Sequence, residues 1–165
     1  MKQSYLTEST LNDILEKIFN LKFIHDKTVP KSNIKNRPDY RSDELMLIVE
    51  FDGYLHFSNA KTILADILKD ETYSKMGYKI IRIPYFVQLN SETIKYYFNV
   101  NFEMNLTYPH GFIDNSAMLP CDFNSLGLKR YNDILNSLPE NIQVSIIDSL
   151  KMKESHLDTR TIYPI

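Results

Sequence analysis

The chain of 165 residues contains a single cysteine, Cys121, and this scarcity limits the chemistry open to it. One cysteine cannot form an internal disulfide framework or a metal site built from cysteine alone. His25, His110 and Cys121 also share no spacing that is typical of zinc ligands. We therefore expect a protein of a reducing compartment whose fold depends on neither disulfides nor zinc.

A strong charge of one sign and long apolar runs are also missing. The net charge is −2, so no overall basic field indicates a polyanionic partner, although a local patch can still bind one. No stretch approaches the ~20 apolar residues of a membrane span, and residues 1–6 lack the apolar run of a signal peptide. These absences predict a cytoplasmic protein with no membrane partner.

The most informative stretch is an apolar segment bordered by acidic residues. Residues 45–49 (Leu-Met-Leu-Ile-Val) predict a buried strand, because branched apolar residues favour strand over helix. Asp39 precedes this segment, and Glu50 and Asp52 follow it. Glu50 and Asp52 are two residues apart, so a continuing strand points both to one face. Carboxylates held that close either share a proton or recruit a cation, and we favour a divalent metal. The structural alternative is a solvated strand end.

Hydrophobic periodicity predicts an α/β fold. It indicates a helix over residues 7–20, a short strand over 23–25, and a hairpin of strands over 37–40 and 45–52. A helix over 58–76 follows, and its predicted apolar stripe consists of Ile63, Leu64, Ile67 and Leu68. A strand over 78–83 should then lie parallel to the strand before that helix, through a right-handed connection. The expected result is a mixed sheet of about four strands flanked by helices.

The second half of the chain predicts a mostly helical C-terminal extension. Its helices are expected over 91–98, 126–138 and 141–152, with an irregular segment over 99–123. We find no linker or repeat, and the length suits one domain with its own core. The interpretation is therefore a single domain, 1–165, with a core over 7–86 and an extension over 87–165.

Two short motifs resemble a known superfamily. Pro-Asp at 38–39, followed by Glu-x-Asp-Gly-x-x-His at 50–56, resembles the PD-(D/E)XK nucleases, and among them the branch related to very-short-patch-repair endonucleases. The predicted order of elements also matches the superfamily core of a helix, a three-strand meander, a helix and a strand. The resemblance covers residues 7–86 and implies a restriction-endonuclease-like core.

The resemblance assigns roles to residues of the two motifs. Asp39 and Glu50 match the acids that ligate a catalytic Mg²⁺ or Mn²⁺ ion, and Mg²⁺ prefers such oxygen ligands. Asp52 stands where the superfamily usually has a lysine, and we group it with the predicted catalytic metal ligands. His56 matches the histidine of the branch and is predicted to be catalytic.

The missing lysine requires another source of positive charge. A second metal, the motif histidine or a basic residue of the following helix could supply it, and that helix carries Lys61 and Lys69. Glu8, near the start of the first helix, resembles an acidic residue that some members place at the site. These three residues are predicted accessory groups.

The implied activity is that of a metal-dependent endonuclease of the restriction, repair or mobile-element type. It would hydrolyse phosphodiester bonds, with DNA expected as the substrate in preference to RNA. A local basic loop is expected to contact phosphates through Lys27, Lys31, Lys35 and Arg37. A double-strand cutter is expected to act as a homodimer. The alternative is a catalytically inactive nucleic-acid-binding or assembly module on the same fold, which the loss of the lysine at position 52 favours.

Overall fold

The computed structural model describes residues 7–87, 89–104 and 122–154, and side chains as far as residue 151. Within these ranges the helices are α1 (Glu8–Phe19), α2 (Leu55–Ser58), α3 (Ala60–Lys75), α4 (Ser91–Phe98), α5 (Ser125–Ser137) and α6 (Glu140–Glu154). The strands are β1 (Ile24–His25), β2 (Tyr40–Ser42), β3 (Leu47–Asp52) and β4 (Lys79–Pro84). Most of the predicted irregular segment, residues 105–121, lies outside the described residues. No helix of the described ranges is long and apolar enough to cross a membrane.

The four strands form one mixed sheet in the order β1-β2-β3-β4. β1, β2 and β3 are an antiparallel meander, and β4 pairs parallel to β3 after the crossover through α3. β3 is thus central, and its Leu47 and Val49 are buried, which confirms the predicted buried strand from Leu47 onward. The predicted mixed α/β architecture with flanking helices is confirmed at this level.

The two faces of β3 contact different surroundings. Val49 belongs to the main hydrophobic cluster, together with Leu11 and Leu15 of α1. Ile48 belongs to a smaller cluster with Tyr73 of α3. Because side chains alternate along a strand, Glu50 lies on the same face as Ile48. The acidic end of β3 therefore faces α3.

The hairpin begins later in the chain than the sequence predicted. β2 starts at Tyr40 rather than at residue 37, and β3 starts at Leu47 rather than at residue 45. Leu45 and Met46 belong to the turn and are exposed, and Met46 has a left-handed backbone with φ 48°. The Leu45 N–H donates to Ser42 Oγ at 3.2 Å. The apolar composition of residues 45–49 could not show that the first two of them belong to the turn between β2 and β3.

The helix predicted over 58–76 is present as α3, which begins two residues later, but its predicted apolar stripe was wrong. Asn59 adopts an extended backbone between α2 and α3 and caps α3 through its side chain. Of the four stripe residues, Ile63 is buried, whereas the other three are exposed. Asp66, Lys69 and Tyr73 face inward instead. Charged side chains of the sheet stand opposite this helix, so its buried side carries their ionic partners.

The C-terminal helices pack onto the same core as the sheet. Tyr131 of α5 and Ile146 of α6 belong to the cluster that contains Val49. At Gly127 of α5, a Cβ atom would lie 1.5 Å from the Phe57 carbonyl oxygen, so glycine permits the contact of α5 with α2. This contact brings α5 to the acidic end of β3.

Candidate metal-binding and catalytic site

The register of the hairpin brings Asp39 beside Glu50. Tyr40 pairs with Val49, so the residue before β2 lies next to the residue after Val49. Asp39 Oδ2 accepts a hydrogen bond from the Phe51 N–H at 2.7 Å. The Asp39 N–H lies 3.5 Å from Glu50 Oε2. The two acids that the motifs predicted as ligands are therefore neighbours at one place in the sheet.

Lys69 of α3 completes this group. Its Nζ lies 2.7 Å from Glu50 Oε1 and donates to the Arg37 carbonyl at 3.3 Å. Glu50 and Lys69 are only 2% and 8% exposed, so the ion pair is largely shielded from water. We call Asp39, Glu50 and Lys69 the carboxylate site. The lysine of this site comes from α3. At position 52, where the resemblance leads one to expect the lysine, the chain has an aspartate.

Both acids of the carboxylate site hold protons more tightly than usual. Burial raises the pKa of Glu50 to about 7, although the charge of Lys69 opposes this shift. Burial also raises the pKa of Asp39, against the opposing hydrogen bond from Phe51. The ionised carboxylates thus lack sufficient compensating charge in the protein alone. Two adjacent oxygen donors in that condition fit a hard divalent cation, which would favour their ionised forms.

Glu8 lies close enough to influence Asp39. Its charge contributes to the raised pKa of Asp39. The Glu8 carboxylate also approaches His25 Nε2 at 3.2 Å, and both side chains are about half exposed. The Tyr40 hydroxyl donates to the Glu8 carbonyl at 2.8 Å and connects the start of α1 to β2. Glu8 is therefore positioned as a peripheral acid beside the site.

Asp52 belongs to a second group with its own ionic partners, although its charge, after burial, contributes to the raised pKa of Asp39. Asp52 is fully buried, and each of its two carboxylate oxygens pairs with a different arginine. Arg82 Nη1 of β4 lies 2.7 Å from Oδ1, and Arg130 Nη2 of α5 lies 2.8 Å from Oδ2. The arginine network, as we call it, consists of Asp52, His56, Asp66, Asp70, Arg82 and Arg130.

His56 enters the arginine network through Asp66. The distance from His56 Nδ1 to Asp66 Oδ2 is 2.7 Å, and Arg130 Nη1 lies 2.8 Å from the same oxygen. Burial alone would raise the pKa of Asp66, but the His56 hydrogen bond and the Arg82 charge lower it to about 2. Burial alone would lower the pKa of His56, but its hydrogen bond to Asp66 raises it. The pair therefore favours a carboxylate and a protonated imidazole.

Three residues of this network could geometrically surround a cation. Ligand atoms of Asp52, His56 and Asp66 lie within 4.8 Å of one another. However, guanidinium groups already donate to both aspartates. With His56 protonated, three positive side chains face three aspartates. The network is charge-balanced without a metal, so the carboxylate site is the better candidate for Mg²⁺.

The predicted site residues thus divide between two groups. Asp39 and Glu50 lie together in the carboxylate site, and Asp52 and His56 lie in the arginine network. A shared metal for all three acids stays a prediction. Lys61 is exposed in the first turn of α3. Of the two accessory lysines that the sequence indicated, Lys69 is the one that contacts an acid of the site.

The predicted basic loop ends at the carboxylate site. Its three lysines, Lys27, Lys31 and Lys35, are exposed. Its end is held by α3, because Tyr73 donates to the Asn36 carbonyl at 2.9 Å and Lys69 donates to that of Arg37. Arg37 itself pairs with Asp26 at 3.2 Å on the surface. The end of the loop is therefore anchored on α3 beside Lys69, while its three lysines are exposed.

Sequence reasoning missed both arginines of the network. Arg82 carried a signal, because it interrupts an aliphatic strand and pairs in register with Glu50. Strand alternation therefore places it on the face that meets α3. The sequence contains no such signal for Arg130, since its position depends on how α5 packs against α2.

Comparisons of the chain with protein families, curated proteins and solved structures found no match. The chemistry of these two groups and the motifs that predicted them are therefore what indicate a function for this protein.

Proposed function

We propose that this protein is a metal-dependent endonuclease that hydrolyses phosphodiester bonds in DNA at the carboxylate site. The observation that carries the proposal is the meeting of half-buried Asp39 with buried Glu50 and Lys69. Two adjacent acids with raised pKa values favour a cation. The lysine 2.7 Å from Glu50 supplies the positive charge that the motif itself lacks.

Each residue of the site has a distinct task. Asp39 and Glu50 would hold Mg²⁺ or Mn²⁺ through their free oxygen positions. The bound ion would activate a water and stabilise charge on the phosphodiester. The Phe51 N–H fixes the orientation of Asp39. Lys69, held by the Arg37 carbonyl, keeps a cationic group beside Glu50 where a scissile phosphate would approach.

The arrangement of the chain supports the same proposal. The order α1, β1-β2-β3 meander, α3, β4 matches the core order of the PD-(D/E)XK superfamily, so we include a restriction-endonuclease-like core in the proposal. The basic loop adjoins the site and would contact the phosphates that flank the cleaved bond. DNA is the proposed partner on this basis.

A non-catalytic nucleic-acid-binding or assembly module is the second candidate. It is favoured by the ionic partners already in place, since Lys69 pairs with Glu50 and two arginines pair with Asp52. Such a protein would bind DNA through its basic loop and would not cleave it. Binding and cleavage must therefore be measured on the same samples.

Plasmid nicking tests the proposed activity. Wild type should nick supercoiled DNA with Mg²⁺ or Mn²⁺ and should be inactive in EDTA. Asp39→Asn and Lys69→Met should each lower the rate by at least about 10²-fold, because they remove a ligand and a charge that act in the transition state. Glu44→Gln and Lys75→Met are matched controls at exposed positions and should keep activity. DNA binding without metal-dependent nicking by wild type would instead support the binding module.

A second measurement tests metal binding without cleavage. Mg²⁺ at tenfold its Kd should stabilise wild type by about 1.4 kcal/mol, because the ion binds only the folded state. Glu50→Gln alone would leave buried Lys69 without an anion. The double variant Glu50→Gln/Lys69→Met avoids that defect and should lose the Mg²⁺ shift. An equal shift in wild type and the double variant would remove Glu50 from the site.

A further inference from the structure

The outward face of α3 is apolar although it meets solvent. Leu64, Ile67 and Leu68 are 59%, 50% and 50% exposed. Their spacing of three and four residues makes them neighbours on the helix surface. Scattered exposed leucines are ordinary in proteins, but a contiguous apolar patch indicates an interaction surface.

The patch extends beyond α3 along a groove. Ile67 lines a cavity of about 490 Å³ between α3, α4 and α5, together with Leu126 and Tyr96. Leu126 and Tyr96 are themselves among the exposed large apolar residues. A helix that approaches α3 would therefore meet a ridge formed by the leucines and a groove beside it, which is how helices pack.

Opposite charges flank the ridge at equal distances from its centre. Lys61 and Glu71 are exposed. Lys61 lies three residues before Leu64, and Glu71 lies three residues after Leu68. In an antiparallel helix pair centred between the leucines, Leu64 of one copy meets Leu68 of the other. Lys61 of one copy then meets Glu71 of the other, twice per pair.

We propose that a second copy of this chain docks on this face, with the two α3 helices antiparallel about a two-fold axis. A two-fold interface requires one surface that is complementary to itself, and this arrangement of leucines and charges has that property. A different partner would have no need of the symmetry. Leu64 and Leu68 lie on the side of α3 opposite buried Lys69, so the pairing does not depend on the proposed nuclease activity.

Sedimentation equilibrium over a range of protein concentrations tests the apolar ridge. Wild type should show a concentration-dependent dimer. Leu64→Glu should weaken it by at least about 100-fold, since two carboxylates would be buried without partners. Val144→Glu on α6 is the matched control, because Val144 is 50% exposed and lies outside the patch. A wild type that stays monomeric at all concentrations, or a dimer that tolerates Leu64→Glu, would overturn the proposal.

A charge swap tests the antiparallel two-fold arrangement. Lys61→Glu or Glu71→Lys alone places like charges opposite each other and should weaken the dimer by roughly tenfold. The double swap restores both contacts and should restore the wild-type affinity. The two residues are ~15 Å apart along one helix, so recovery cannot arise within a single chain. Additive weakening in the double swap would overturn this arrangement. Circular dichroism of every variant confirms that the fold is retained.

Discussion

Removal of Arg130 should destabilise the protein far more than removal of the lysine next to it. Arg130 donates to Asp52 Oδ2 and Asp66 Oδ2, both at 2.8 Å, and to the His56 carbonyl at 3.1 Å. Its guanidinium carbon lies 5.4 Å from the centre of the Phe57 ring. Arg130→Met keeps most of the apolar stem and removes these ionic contacts, so it isolates the contribution of the charge.

The expected loss follows from what the two aspartates retain. Breaking a buried ion pair by removing one partner costs about 3–5 kcal/mol, because the other charge stays buried. Arg82 still lies 2.7 Å from Asp52, and the Arg130 side chain is 17% exposed. Both facts reduce the loss, so we expect a decrease of about 3 kcal/mol in the free energy of unfolding.

Urea denaturation at pH 7 measures this difference, with Lys129→Met as the control. Lys129 pairs with Asp133 at 2.6 Å, but both side chains are mostly exposed. An exposed pair of this kind contributes at most about 0.5 kcal/mol. A loss below ~1 kcal/mol for Arg130→Met, or equal losses for the two variants, would refute the account of the arginine network as a buried connection between α5 and the sheet.

Three further outcomes are expected. Replacing the three lysines of the basic loop with Ala should flatten the slope of log binding constant against log salt by up to about 3, and an unchanged slope would exclude the loop as a DNA contact. The pKa of Asp66 is about 2 in the fold and 3.8 ordinarily, so its contribution of about 2 kcal/mol is complete above pH ~4 and is lost as the pH falls toward 2. Urea titrations at several pH values should show this loss in wild type, and Asp66→Asn should lack it. Gly127→Ala should lower the melting temperature, because its Cβ would overlap the Phe57 carbonyl; an unchanged melting temperature would contradict that close approach.

The order of elements could be predicted from the sequence because each signal is local. α1 begins where Thr7 caps it, and α4 begins at the capping box of Asn90 and Thr93. The alternation that buries Val49 also places Glu50 on the opposite face of the sheet. These features depend on a few adjacent residues, so periodicity was sufficient to find them.

The burial of α3 could not be predicted in this way. Its leucines suggested the inner face, but Asp66 and Lys69 occupy it. A charged residue is buried when an opposite charge stands across from it, and that partner lies on another element. The sequence of the helix alone contains no information about its partner, so hydrophobic periodicity selected the wrong side.

The candidate site shows the same division. The sequence predicted that Asp39 and Glu50 belong to the two strands of one hairpin, and the resemblance implied that they share a metal. The register of Tyr40 with Val49, which brings the two acids together, is visible only in the structure. The packing of α3 and α5 onto the sheet, and the pairing of β4 with β3, are what bring Lys69 to Glu50, and Arg82 and Arg130 to Asp52. Arg130 is 78 residues from Asp52 in the chain, and it reaches that carboxylate because α5 packs against α2. Such a contact depends on how whole elements pack, and residue spacing does not encode it.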